Sequence, residues 1–68
     1  MKLEKGELYE IRGSVYDDES PYIIKVNSDL IYDYYLVTVI SAYRFDTHFH
    51  PEDWEHIRKL SSLEKELL

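Results

Sequence analysis

The chain has 68 residues, fourteen acidic against eight basic, for a formal net charge of −6, and no cysteine. Such a length leaves room for one domain over residues 1–68 that buries only about 60% of its unfolded surface, and the missing thiols exclude disulfides and thiolate zinc sites. The acidity argues against direct contact with DNA or RNA phosphates and makes a basic protein surface the natural partner, with plain solubility as the alternative use of the charge. The longest apolar run, Leu36-Val37-Thr38-Val39-Ile40, is too short for a membrane span or a signal core, so the expected compartment is the cytoplasm.

Two glycines, Gly6 and Gly13, bracket a predicted first strand from Glu7 to Arg12, with a bend or bulge at Gly13-Ser14. The acidic run Asp17-Asp18-Glu19-Ser20-Pro21 reads as an exposed loop, because like charges repel and Pro21 can only open a strand. Tyr22, Ile24 and Val26 then alternate with Ile23, Lys25 and Asn27, the period of a half-buried strand, and Asn27-Ser28-Asp29 supplies turn chemistry. Residues 30–49 are rich in Tyr, Val, Ile, Thr and Phe, which suit a pleated sheet. The stretch is too long for one strand, and the break falls at Ser41-Ala42 or at Asp46-Thr47.

At His50-Pro51-Glu52-Asp53 the signals change to a helix start. Pro51 suits the first helical position, and Asp53 is placed to bond back to an open amide. Trp54, Ile57 and Leu60 follow at helical spacing. Ser61-Ser62-Leu63-Glu64 offers a capping box for a last turn, with Leu60, Leu63 and Leu67 on one stripe. The expected fold is α+β: a small antiparallel sheet of three or four strands followed by short C-terminal helical segments. The order of these elements, ending in Phe49-His50-Pro51-Glu52-Asp53-Trp54-Glu55-His56-Ile57, resembles the small SH3-like barrels. That resemblance implies a closing strand from His56 to Leu60 in place of helix.

Chemistry concentrates in Asp46-Thr47-His48-Phe49-His50, followed by Asp53 and His56. In an extended segment Asp46, His48 and His50 share one face, while Phe45, Thr47 and Phe49 share the other. A turn at Pro51 would bring His56 back towards them. Three imidazoles with a carboxylate from Asp46 or Asp53 make a donor set that zinc accepts, and a structural zinc would staple a thin core. The plainer reading is a solvated surface in which His50 only caps a helix. No motif places a general acid or base, a nucleophile elbow or a phosphate-binding glycine loop, so the chain reads as a binder and not an enzyme.

Seven tyrosines are many for this length, and some must be core because Phe and Leu are too few to fill it. The run Leu30-Ile31-Tyr32-Asp33-Tyr34-Tyr35, read as a strand, carries aromatics on both faces beside Asp29 and Asp33. Tyrosine gives rigid amphipathic contact area. Asp17, Asp18, Glu19, Asp29, Tyr32, Asp33 and Tyr34 are therefore the candidate partner-binding residues. Half-buried strand tyrosines with acids solvating a loop are the plainer alternative.

A short, acidic, tyrosine-rich, cysteine-free β-rich chain with the Asp17-Asp18-Glu19 loop, the Tyr32-Asp33-Tyr34-Tyr35 segment and the His48-x-His50 pair resembles the small phage-encoded anti-CRISPR proteins that inhibit type II-A effectors. The resemblance implies a stoichiometric inhibitor that binds Cas9 and blocks guide loading, target-DNA loading or cleavage; the chain itself is expected to be a monomer or a small homo-oligomer. It carries no residue role over by position. A small metal-dependent hydrolase and an SH3-like accessory subunit of a phage or bacterial assembly are the alternatives from other classes.

Overall fold

The computed structural model describes residues 2–14, 21–41 and 44–68. Five strands, β1 (Leu8–Ser14), β2 (Tyr22–Val26), β3 (Tyr35–Val39), β4 (Phe45–Phe49) and β5 (Trp54–Lys59), form one antiparallel sheet in the order β4-β3-β2-β1-β5. A 3₁₀ turn, Pro51–Asp53, joins β4 to β5, and a short helix α1 (Ser62–Glu66) follows. The sheet thus has more strands than the three or four expected.

The alternation read from the sequence becomes the two faces of the sheet. Tyr9 and Ile11 of β1, Ile24 and Val26 of β2, Tyr35, Val37 and Val39 of β3, and Phe49 of β4 form one buried cluster with Leu3. Register keeps them together, since Ile24 opposes Val39, Val26 opposes Val37 and Tyr35 opposes Phe49. Each such side chain contributes roughly 1.5–3 kcal/mol on burial. The two core tyrosines also bind main chain, as the Leu3 N–H donates to the Tyr35 hydroxyl at 3.0 Å and the Glu4 N–H to the Tyr9 hydroxyl at 2.8 Å. These bonds tie the N-terminal segment to the sheet.

The sheet has to curl. Laid flat, β4 and β5 would lie four strand spacings apart, about 19 Å. The link from Phe49 to Trp54 includes a 3₁₀ turn rising only about 2 Å per residue, which is too short for that span. The Phe49 and Trp54 ring centroids are in fact 6.0 Å apart, and Tyr22 meets Trp54 edge-on at 6.0 Å.

The helix expected from Pro51 to Leu60 is instead this turn followed by β5. Pro51 does open the turn, but no side chain caps it, and the Asp53 N–H donates to the His50 carbonyl at 3.0 Å. Trp54 and Ile57 are half-buried and Leu60 is buried, with the residues between them exposed. The spacing of three that suggested a helix thus belongs to a strand with broken alternation. Gly13 explains part of the break: its φ is +76°, and a Cβ there would sit 3.0 Å from the Glu55 Cβ. No extra residue is inserted, because Arg12 opposes His56 and Ser14 opposes Trp54 in continuous register.

The capping box is formed in full. The Glu64 N–H donates to Ser61 Oγ, and the Ser61 N–H donates to Glu64 Oε1. The leucine stripe is not formed, since Leu60 is buried while Leu63 and Leu67 are exposed. Ion pairs dock α1 instead: Arg58 reaches both Glu64 oxygens at 2.8 Å, and Lys65 reaches Glu7 at 2.6 Å. Among the described residues no helix is long and apolar enough to cross a membrane.

Candidate functional site: a strained tyrosine turn beside two stacked imidazoles

Between β2 and β3 the segment expected to be strand is a tight turn. Ile31 and Tyr34 exchange main-chain hydrogen bonds at 2.8 and 3.0 Å, which leaves Tyr32 and Asp33 as the two central residues. Tyr32 has φ +57° while Asp33 does not have positive φ. Positive φ at the first central position only is the pattern of a type II′ hairpin turn, where glycine is usual. A side chain there costs about 1–3 kcal/mol. Nothing in the fold repays that cost through packing, because Tyr32 is 93% exposed. Leu30 and Asp33 beside it are exposed as well.

Side-chain bonds hold the base of the turn. The Leu36 N–H donates to Ser28 Oγ, which donates to the Asp29 carbonyl. Asn27 Nδ2 donates to Thr38 Oγ1, and Thr38 Oγ1 donates to Asp46 Oδ1 at 2.6 Å. This ladder crosses the outer face of the sheet, where Leu36 opposes His48 and Thr38 opposes Asp46. Phe45, Thr47 and Phe49 take the inner face, as the sequence spacing predicts.

Tyr34 joins the turn to β4. Its ring stacks on His48 with centroids 4.5 Å apart and a 24° interplanar angle, and it meets His50 at 5.6 Å. Asp33 Oδ2 lies 3.7 Å from His50 Nδ1, close enough for an ion pair when the imidazole is protonated but too long for a hydrogen bond. His48 and His50 are thus brought together, with a tyrosine ring against both. His56 lies on β5 opposite Arg12, and Asp53 ends the 3₁₀ turn. Among the described residues no group of three or more His, Asp or Glu side chains is arranged to hold a metal ion. Asp17, Asp18 and Glu19 lie outside the described residues.

Charge is divided unevenly over the surface. Among the described residues the ion pairs made by Lys and Arg involve Arg58, Lys59 and Lys65 with Glu4, Glu7, Glu10 and Glu64, all on or beside β1, β5 and α1. Lys65 holds the Glu7 carboxyl below its ordinary value, and Arg58 together with the Ser61 amide pulls the Glu64 carboxyl down to about 2. Lys59 and Arg58 are raised in return, through hydrogen bonds to Glu4 and Glu64. Among the described residues no Lys or Arg pairs with Asp29, Asp33, Asp46, Glu52, Asp53 or Glu55. Among the described acids without a Lys or Arg partner, all but Glu66 of α1 therefore lie on the turn, β4 and the segment from Pro51 to Glu55, next to Tyr32 and Tyr34.

On the inner face an apolar cleft of about 430 Å³ is lined by Ile11, Tyr22, Val39, Phe45, Phe49 and Trp54 among others. The sequence did not reveal it, because it depends on how β4 and β5 approach each other. The turn and the edge strand β4 together expose aromatic, imidazole and carboxylate groups on one side of the sheet. The class that fold and site define is a small antiparallel β-rich domain with an exposed face that carries acidic and aromatic side chains. In comparisons with known proteins, no family model matches the chain, and no curated protein or solved structure matches it.

Proposed function

We propose that the chain is a non-catalytic binding protein whose acidic, aromatic face contacts a basic surface on a nucleic-acid-processing effector and inhibits it stoichiometrically in the host cytoplasm. Cas9 is the effector that the sequence resemblance implies. One observation carries the reading: an aromatic ring is presented on a strained turn within the part of the surface whose acids, among the described residues, have no Lys or Arg partner. Such a surface steers association toward basic grooves, and a main chain fixed by the turn lowers the ordering cost of binding. The strand order, with a 3₁₀ turn between β4 and β5 and β5 pairing with β1, supports an SH3-like barrel as the scaffold.

The test is a Cas9 DNA-cleavage assay titrated with the purified chain. Cleavage should fall in proportion to added protein until the two are equimolar. Asp33→Lys should weaken inhibition, and so should raised salt, because exposed charges are screened. Full cleavage at low salt with excess chain would refute Cas9 as the target.

A further inference from the structure

β4 is the first strand of the sheet order, and among the described residues only β3 pairs with it. Apart from Phe49 its residues are exposed, including Phe45 at 48%. An open edge of this kind is a template for another strand.

The ladder fixes which main-chain groups the edge offers. The Asn27 N–H bonds the Leu36 carbonyl and the Ile40 N–H bonds the Ile23 carbonyl, so Leu36, Thr38 and Ile40 turn their main-chain groups towards β2. Tyr35, Val37 and Val39 turn theirs towards β4, where the register meets Phe49, Thr47 and Phe45. The N–H and C=O groups of Asp46 and His48 therefore point away from β3, into the open edge.

We infer that this edge pairs with the β4 of a second copy of the chain, antiparallel and about a two-fold axis at Thr47. Residues directly opposite in such a pairing must both present outward main-chain groups, so Asp46 and His48 can meet only one another or themselves. Centring on Thr47 sets Asp46 of each copy opposite His48 of the other, giving two hydrogen-bonded pairs with a carboxylate facing an imidazole. The same centring sets Phe45 opposite Phe49 twice on the inner face and Thr47 opposite itself. Centring on Asp46 instead places like charges opposite each other, which is destabilising, and centring on either Asp46 or His48 overlaps only three of the five residues of β4. The strand Phe45-Asp46-Thr47-His48-Phe49 is thus complementary to itself in one register, as a two-fold interface requires. Asp46 keeps its second carboxylate oxygen for this contact while Oδ1 holds Thr38. Dimerisation also supplies the reinforcement that a domain of this size commonly needs. The pairing draws Asp46 and His48 out of the acidic face while leaving the Tyr32 turn exposed, and its test reads the mass and the β4 amides alone, so it can fail without the proposed function failing.

Sedimentation equilibrium of the purified chain over a range of concentrations, with amide hydrogen exchange on the same samples, tests the pairing. The mass should rise towards twice that of the 8.2 kDa chain, and the outward Asp46 and His48 amides should gain protection in step. His48→Asp should abolish both effects by opposing like charges, and the exchanged variant Asp46→His with His48→Asp should restore them. His48→Pro should also abolish the dimer, since it removes an outward N–H and no bond to β3. A monomer at every concentration overturns the proposal. So does a dimer in which the Asp46 and His48 amides exchange freely, or one that persists in both His48→Asp and His48→Pro.

Discussion

Replacing Tyr32 by glycine should make the protein more stable, the opposite of what truncating an aromatic usually does. Tyr32 holds φ +57° with its side chain 93% exposed. Removing the side chain relieves about 1–3 kcal/mol of backbone strain. The added freedom of glycine in the unfolded chain takes back about 0.5–1 kcal/mol. Almost no apolar burial is lost, so the net gain is about 1 kcal/mol, which for a domain of this size raises Tm by roughly 4–8 °C. Thermal melts followed by far-UV circular dichroism, with Tyr32→Phe as a control that keeps both ring and strain, give the measurement. Tyr32→Phe should melt with the parent. A glycine variant that melts below the parent would refute the claim that the turn stores strain.

Tyr35→Phe removes the hydroxyl that accepts the buried Leu3 N–H, and an unsatisfied buried donor costs about 1–3 kcal/mol; Tm should fall by on the order of 10 °C, and an unchanged Tm would contradict this role. Acid should loosen α1. The folded-state pKa of Glu64 is lowered to about 2 from 4.5, so its contribution is complete above 4.5 and is lost as pH falls through about 2. The protection of the amides of residues 62–66, measured relative to their intrinsic exchange rate at each pH, should fall over that window in the wild type, and Glu64→Gln should show low protection already at neutral pH. Zinc coordination by His48 and His50 predicts a Tm that rises with added zinc and returns on chelation, with no response in His48→Ala; identical melts in all conditions would leave the pair as stacking partners of Tyr34 alone.

The parts of the fold that depend on neighbours in sequence were legible. Alternation located β2, and the Ser61–Glu64 capping box was readable to both of its bonds. What failed depends on distant partners. Trp54, Ile57 and Leu60 fit a helix until Ile57 is seen opposite Ile11 across β1, and a spacing of three cannot separate a helix from a strand with interrupted alternation. The turn at Tyr32 was hidden because it lacks the glycine or asparagine that marks such turns. The pairing of His48 with His50 followed from their spacing in an extended segment. The position of Tyr34 against both depends on a chain reversal that the local sequence does not announce, and the place of His56 depends on β5 being a strand.

The Tyr32 turn and its surrounding acids are the proposed contact surface, and the most direct measurement of that role is titration calorimetry of the wild type and Tyr32→Gly against purified Cas9 at low and high salt. The wild type should bind one to one, more weakly as salt rises, and Tyr32→Gly should lose at least tenfold in affinity, about 1.4 kcal/mol, while melting higher than the parent. Equal affinities for the two proteins, or binding that does not respond to salt, would contradict it.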